Sequence, residues 1–225
     1  MAACRWTPPS DVTQSAISSG PSAGSAAARA ASGNSTPVEV SACTQKCLAA
    51  PPGLSPVAVS PRAWERIAAR RTPPPFSLDL ELLRDYWLER PATYHHTAPI
   101  LAIYALHEAL RLVLAEGLEE RWARHAAAAR HLRAALADRG LELLAAQDVR
   151  LDPLTAVRVP EGVDGKAVQR ALLAEHGIEV GGALGPGTPP IWRIGLMGRN
   201  ATIAAAERVL AALDSVLEPA ALAVV

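Results

Sequence analysis

Ser41-Ala42-Cys43-Thr44-Gln45-Lys46-Cys47-Leu48-Ala49-Ala50-Pro51-Pro52-Gly53 is the stretch around which the rest of the chain is read, and Lys46 stands at its centre. Of 22 basic residues only Lys46 and Lys166 are lysines. With so strong a bias, arginine serves wherever any positive charge is enough, which makes Lys46 a candidate for work that needs a primary amine. Only lysine can form a Schiff base with a carbonyl, once its pKa is lowered or its proton removed. Pro51-Pro52-Gly53 is a stiff turn, so the amine is presented beside a bend and not along a helix. Rarity alone leaves a second reading open, an ordinary surface or capping lysine.

On the N-terminal side, residues 1–36 are Ser, Ala, Gly, Thr and Pro with almost no large apolar side chains. Such a segment cannot bury enough surface to offset its ordering entropy, and a disordered tail is expected. It has no apolar run of the secretory kind, and Arg5 and Arg29 make no amphipathic stripe of the transit-peptide kind. The whole chain, 225 residues with half of them apolar, is long enough for a sizeable core. Its formal net charge of zero offers no basic excess for a phosphate backbone, so nucleic-acid binding is not expected. The apolar runs are interrupted by His107, Glu108, Arg111 and Glu116 before they reach membrane-spanning length, and no membrane is expected. Cys4, Cys43 and Cys47 are an odd set without CxxC spacing, which suits a reducing compartment, the cytoplasm, better than a disulfide scaffold or zinc site.

On the C-terminal side, Pro37 to Val40 and Leu54 to Ser60 read as short strands flanking the Lys46 loop. Ser60-Pro61 opens a short helix with Ser at the N-cap and Pro at the first helical position. Leu78 to Leu88 reads as a helix with a strand-like lead-in near Phe76. Tyr94-His95-His96-Thr97 is a polar cluster ahead of a helix over residues 100–116, with Thr97 expected as its N-cap and Pro99 in its first turn. Ile100, Ile103, Tyr104, Leu110 and Val113 recur on related faces of that helix. The two histidines could cap or ligate a metal; no third ligand stands at a convincing spacing, and no metal is expected. Gly117 breaks the pattern. A longer helix from Leu118 to Arg139 is expected to turn Leu118, Trp122, His125, Leu132 and Leu136 inward and its arginines toward water. Beyond Gly140 short strands alternate with helices: strands at 141–144, 155–159, 178–180 and 191–194, helices at 164–176 and 202–217. Arg193, in the otherwise apolar Ile191 to Met197, is either an outward-facing strand residue or a fork that holds a carboxylate through two parallel hydrogen bonds.

The chain resembles the class V, fold-type I pyridoxal-phosphate aminotransferases, and within them the alanine-glyoxylate and serine-pyruvate transaminases. The residues that carry the resemblance are Gln45-Lys46-Cys47-Leu48 through Pro51-Pro52-Gly53-Leu54, Leu78-Asp79, Asp85-Tyr86-Trp87, Tyr94-His95-His96-Thr97, Glu116-Gly117-Leu118-Glu119, Arg121-Trp122, Gly182 through Pro186, and Trp192 through Gly198. They run in one register from about Val38 to Leu217. The resemblance implies an α/β fold: a remnant of the aminotransferase large-domain parallel sheet in residues 37–116, then a complete small C-terminal α/β domain in residues 117–225. It implies pyridoxal 5'-phosphate as cofactor and transamination between alanine or serine and glyoxylate or pyruvate. Lys46 would carry the cofactor and move the substrate proton, with Gln45 beside it in the cofactor site. Tyr94 and Thr97 would reach the cofactor phosphate of the other subunit of a homodimer, and Arg193 would grip the substrate carboxylate.

Two departures accompany the resemblance. Ala42-Cys43-Thr44 and Ala183 stand where the family has a Ser-rich approach and a glycine. The family's phosphate-cradling loop, ring-stacking aromatic and ring-nitrogen aspartate have no counterpart in residues 1–37. Two alternatives follow, an inactive truncated member acting only through dimerisation and an unrelated α/β binding module. The strands flanking Lys46 are expected to leave open edges and an apolar face, so that the chain self-associates.

Overall fold

A computed structural model describes residues 39–89 and 94–222; the low-complexity tail expected over residues 1–36 lies outside them. Strands β1 (Glu39–Ser41) and β2 (Val57–Val59) pair with Glu39 opposite Val59 and Ser41 opposite Val57. The Lys46 loop closes this ladder, and the Ala42 N–H donates to the Pro56 carbonyl at 3.0 Å just beyond it. The mixed α/β class is the one expected from the sequence. The pairing is different in one respect: β1 and β2 run antiparallel, because the loop turns the chain straight back on itself and no crossover helix intervenes.

Helix α1 (Pro61–Ala68) begins as its sequence requires, with the Ser60 hydroxyl accepting from the Ala63 N–H at 3.2 Å and Pro61 in the first turn. Phe76–Leu78 forms a single 3₁₀ turn in place of the strand-like lead-in. Helix α2 (Leu80–Arg84) is capped by the Asp79 carboxylate, which accepts from the Glu81 N–H at 3.0 Å, and it widens into a π-helical turn over Asp85–Glu89.

Helix α3 (Ile100–Glu116) has the expected span, but Thr97 does not cap it. The cap position is Pro99, with ψ 79° and no side-chain hydrogen bond. A residue before proline is biased toward extended backbone, so the helix cannot be entered from Ala98 and starts one residue after the proline. Its expected inward face is also mostly uncovered: among its residues Ala109 and Val113 are buried, while Ile100, Ile103, Tyr104 and Leu110 are exposed.

Gly117, at φ 88°, joins α3 directly to α4 (Leu118–Asp138), and a Cβ there would collide with the Glu120 carboxylate. His125, Leu132 and Leu136 point inward on α4 as expected; Leu118 and Trp122 do not, and Arg121 is buried in their stead. Strands β3 (Leu154–Arg158) and β4 (Ile191–Gly195) pair antiparallel, Leu154 opposite Gly195 and Arg158 opposite Ile191. Segment 141–144 only flanks this pair through the single bridge Leu143 to Val157, and residues 178–180 form no strand; the bridge on that side is made by the next residue, Gly181, to Arg193. Helix α5 (Gly165–His176) is capped by Asp164, whose carboxylate accepts from the Lys166 and Ala167 N–H groups, and it ends at left-handed Gly177. Helix α6 (Ile203–Leu222) runs beside α4, tied by the Arg139 fork on Asp214 and by the His131–Glu207 pair. Leu132, Leu136, Leu172, Trp192, Leu210 and Leu213 fill one continuous core between these helices and the strand pair. The Trp192 indole N–H donates to the Gly165 carbonyl at 3.0 Å, so the largest buried side chain leaves no polar atom unpaired.

Candidate functional site

The Lys46 loop is a compact turn held from inside by Thr44. This residue is fully buried, its hydroxyl donates to the Pro51 carbonyl at 2.6 Å, and its carbonyl accepts from the Ala50 N–H at 3.1 Å. The Ala49 N–H closes back on the Lys46 carbonyl at 2.9 Å, which forces Ala49 to φ 59°. Lys46 and Gln45 ride on the outside of the turn with exposed side chains, and among the described residues neither side chain makes a hydrogen bond.

What anchors this loop comes from the junction of α3 and α4. Arg121 donates through Nη2 to the Cys47 carbonyl and through Nη1 to Glu116, each at 2.5 Å. Arg124 makes the other half of the clamp, with Nε and Nη2 on the Glu116 carboxylate at 2.6 and 3.1 Å, and Nη1 on the Gly198 and Ala201 carbonyls at 2.9 and 2.8 Å. His125 completes it: Nδ1 donates to the Arg121 carbonyl at 2.7 Å, so Nε2 is the acceptor for the Gly198 N–H at 3.1 Å. One helix therefore holds both the Lys46 loop and the turn after β4. Gly198 must be glycine here, since it sits at φ 58° and a Cβ would lie 2.6 Å from that of Ala49.

The charges follow from this arrangement. Two guanidiniums on one carboxylate hold Glu116 down at about 2, against an ordinary 4.5. Burial lowers the pKa of His125, which suits the neutral tautomer that accepts from Gly198. Burial pushes the Cys47 thiol up, against the pull of Arg121, so Cys47 stays a thiol and not a nucleophilic thiolate.

Arg193 projects from β4, and its Nε donates to the Gly182 carbonyl at 2.7 Å. Its backbone exchanges both hydrogen bonds with Gly181, at 2.7 and 3.1 Å, and the guanidinium lies over that glycine, where a Cβ would come within 2.9 Å of Nη2. No carboxylate among the described residues pairs with it. In the 94–97 cluster, Tyr94 and Thr97 are exposed and their hydroxyls lie 2.5 Å apart. His95 stacks on Phe76 at 4.2 Å, hydrogen-bonds the Phe76 carbonyl through Nε2 at 3.0 Å, and meets the His96 ring at Nδ1. The structure thus joins Lys46 and Arg193 to one scaffold, and no hydrogen bond among the described residues joins Tyr94 and Thr97 to it.

The clamp of Glu116, Arg121, Arg124 and His125 was not legible as such. Its sequence signal is the spacing of Arg121, Arg124 and His125 at i, i+3 and i+4, which puts all three on one face of α4. Treating the helix arginines as solvent-facing concealed it.

The class-V aminotransferase family model matches residues 39–197. The crystal structure of alanine–glyoxylate aminotransferase from Nostoc sp. is 47% identical and superposes with a TM-score of 0.76, over 80% of this chain and 48% of that one. The ureidoglycine–glyoxylate aminotransferase of Bacillus subtilis is 40% identical, also with a TM-score of 0.76, over 80% and 47%. Among curated proteins, alanine–glyoxylate aminotransferase of Oryctolagus cuniculus is 39% identical over 78% of this chain and 46% of its own length. The chain spans about half the length of the relatives it matches. With the family model matched from β1 to Met197 and the same fold in relatives of this identity, the chain belongs to the class-V aminotransferases.

Proposed function

We propose that the chain carries the lysine-bearing part of a pyridoxal-phosphate-dependent transaminase that moves an amino group between alanine or serine and glyoxylate or pyruvate. The observation that carries this reading is the clamp. Lys46 lies one residue before the Cys47 carbonyl and Arg193 five residues before Gly198, and both anchor points are gripped from the same turn of α4. The relatives named as glyoxylate aminotransferases support the substrate class.

The donor set fits pyridoxal 5'-phosphate. Lys46 is an exposed amine with no hydrogen-bonded partner among the described residues, free to attach to a carbonyl, and Gln45 stands next to it. The paired hydroxyls of Tyr94 and Thr97 suit a phosphate, and their exposure favours one supplied by a second copy of the chain. When bound, the cofactor supplies the electron sink for the carbanion at the substrate α carbon. Lys46, once released by the incoming amine, would take the proton from that carbon and return it. Arg193 has its Nε committed to Gly182, which leaves the terminal nitrogens to hold the substrate carboxylate in a fixed plane. The buried clamp keeps the Lys46 loop from shifting, and proton transfer tolerates misplacement of no more than about 1 Å.

The unit that supplies Lys46 is taken as residues 37–116 and the small domain as residues 117–225, with the helix junction at Gly117 as the boundary. A homodimer with shared sites accounts for the exposed apolar side chains of α3 alongside Tyr94 and Thr97. No helix among the described residues is long and apolar enough to cross a membrane. Free Cys43 and Cys47 suit the cytoplasm.

The test is the purified protein with pyridoxal phosphate, alanine and glyoxylate, followed by cofactor absorbance and pyruvate release. The Schiff-base absorbance band of attached cofactor is expected for the natural sequence and lost in Lys46→Ala. A Schiff-base absorbance band that survives in Lys46→Ala would refute the reading.

A further inference from the structure

The far end of α4 carries a second arginine pair that takes no part in the clamp. Arg133 stands 12 residues beyond Arg121, about 18 Å along the helix at 1.5 Å per residue. With Arg150 it borders a surface cavity of about 560 Å³ whose apolar wall is Ala134, Ala137, Leu141 and Leu143. A smaller hollow of about 170 Å³, walled by Val149, Leu151 and Leu154, adjoins it and shares the same two arginines. The guanidiniums thus sit where two apolar hollows meet.

Their hydrogen bonding is incomplete. Arg133 donates through Nη2 to the Leu151 carbonyl at 2.6 Å and through Nη1 to Asp152 at a long 3.3 Å, while its buried Nε has no acceptor. Arg150 donates through Nε to the Ala145 carbonyl at 2.9 Å and has no carboxylate partner among the described residues. Glu142, on the cavity rim, is taken by Arg158 at 2.9 Å. Of the two, only Arg133 has a carboxylate partner among the described residues, the partly exposed Asp152. Burial and the charge of Arg150 both lower the pKa of Arg133, the direction expected for cations held close together beside apolar walls.

We propose that this cavity is a binding site for a small organic carboxylate, its anionic head between Arg133 and Arg150 and its apolar body against Ala134, Ala137 and Leu143. A carboxylate supplies the acceptor that the terminal nitrogens of Arg150 lack, beside the charge of Arg133, and planar Arg–carboxylate pairing sets its orientation. An apolar body gains from the wall that a bare inorganic anion would leave wet. The site is separate from Lys46 and Arg193 and does not depend on the reading given to them.

Calorimetric titration of the purified protein with benzoate, and separately with inorganic phosphate, tests this. Benzoate is expected to bind more tightly than phosphate. Its affinity is expected to fall about tenfold or more in Arg150→Gln, a loss of about 1.4 kcal/mol, to fall in Leu143→Asn, and to be unchanged in Arg193→Ala. Circular dichroism matching the natural protein identifies folded variants; should Arg150→Gln fail to fold, Leu143→Asn carries the test. The proposal is overturned if benzoate does not bind, if phosphate binds as tightly, or if Arg193→Ala removes binding that Arg150→Gln and Leu143→Asn leave intact.

Discussion

Residues 118–217 and residues 39–116 bury their apolar side chains to very different degrees. In the first region α4, α5, α6 and the β3–β4 pair enclose Leu132, Leu136, Leu172 and Trp192 almost completely. In the second, Leu101 is 86% exposed, Leu114 76% and Tyr104 70%. The first region has its core within this chain. The second presents an apolar helix face to solvent, and yet it bears Lys46. Thr44 closes the Lys46 loop from within, and what ties that loop to the other region is polar: the Arg121, Arg124 and His125 face of α4.

The contrast is broken or sharpened most strongly by removing matched apolar side chains. Trp192→Ala is expected to cost about 3–5 kcal/mol, whereas Leu101→Ala should change stability by less than about 0.5 kcal/mol. Denaturant midpoints on the two variants check this. An equal loss would mean that α3 is covered in solution, and sedimentation would then identify a second copy as the cover.

A smaller effect is expected at the clamp. Glu116→Ala leaves buried Arg121 without its carboxylate and should cost about 2–3 kcal/mol, below the range for a fully buried pair because Glu116 retains some exposure. The pH dependence follows from the same groups. The pKa of Glu116 is lower when folded than when unfolded, so its contribution is present above about 4.5 and is lost as pH falls toward about 2. His125, also lowered, contributes in its neutral form and begins to weaken the clamp as pH drops below its ordinary 6.5. Thermal melts across this range should show Glu116→Ala flattening the acid limb below pH 4.5; an unchanged limb would show that the pair does not set it.

The most local effect is at Gly198. Gly198→Ala presses a methyl on Ala49 and strains a left-handed backbone, for a cost of about 1–3 kcal/mol. Proteolysis is expected to open the Lys46 loop in this variant before the β3–β4 core. Loss of both together would mean that loop and core are one cooperative unit.

Much of this architecture was legible in local sequence. Ser60-Pro61, Asp164 and Gly177 carry their own capping chemistry, and Ile191 to Ile194 reads as a strand, which the structure extends to Gly195. Other features depend on contacts between residues distant in sequence. Leu141 to Leu144 is rich in leucine yet makes a single bridge, on the edge of β3 that β4 leaves free, with hydrogen bonds from Leu144 to Ala156 and from Arg158 to Glu142. Thr97 has the right side chain for a cap, but Pro99 moves the helix start past its reach and Tyr94 takes its hydroxyl. Arg121 is buried because its partners are the Cys47 carbonyl, 74 residues away in sequence, and Glu116 across a glycine turn. Arg193 satisfies part of each reading: it sits in a strand, and its guanidinium is held in place with the terminal nitrogens left over.

The assignment of Lys46 is tested most directly by incubating the protein with pyridoxal phosphate, reducing with borohydride and mapping the labelled peptides. Both lysines are exposed, so access alone does not choose between them. Charge does: Lys46 adjoins the clamp, where two arginines face one glutamate, and Lys166 follows the Asp164 carboxylate that caps α5. An anionic phosphate is drawn to the first, whereas at the second the Asp164 carboxylate already occupies the helix N-terminus that would receive it. The account predicts label chiefly on the peptide containing Lys46, lost in Lys46→Ala and diminished in Glu116→Ala as the loop loosens. Label chiefly on Lys166, or equal label on both lysines, would contradict it.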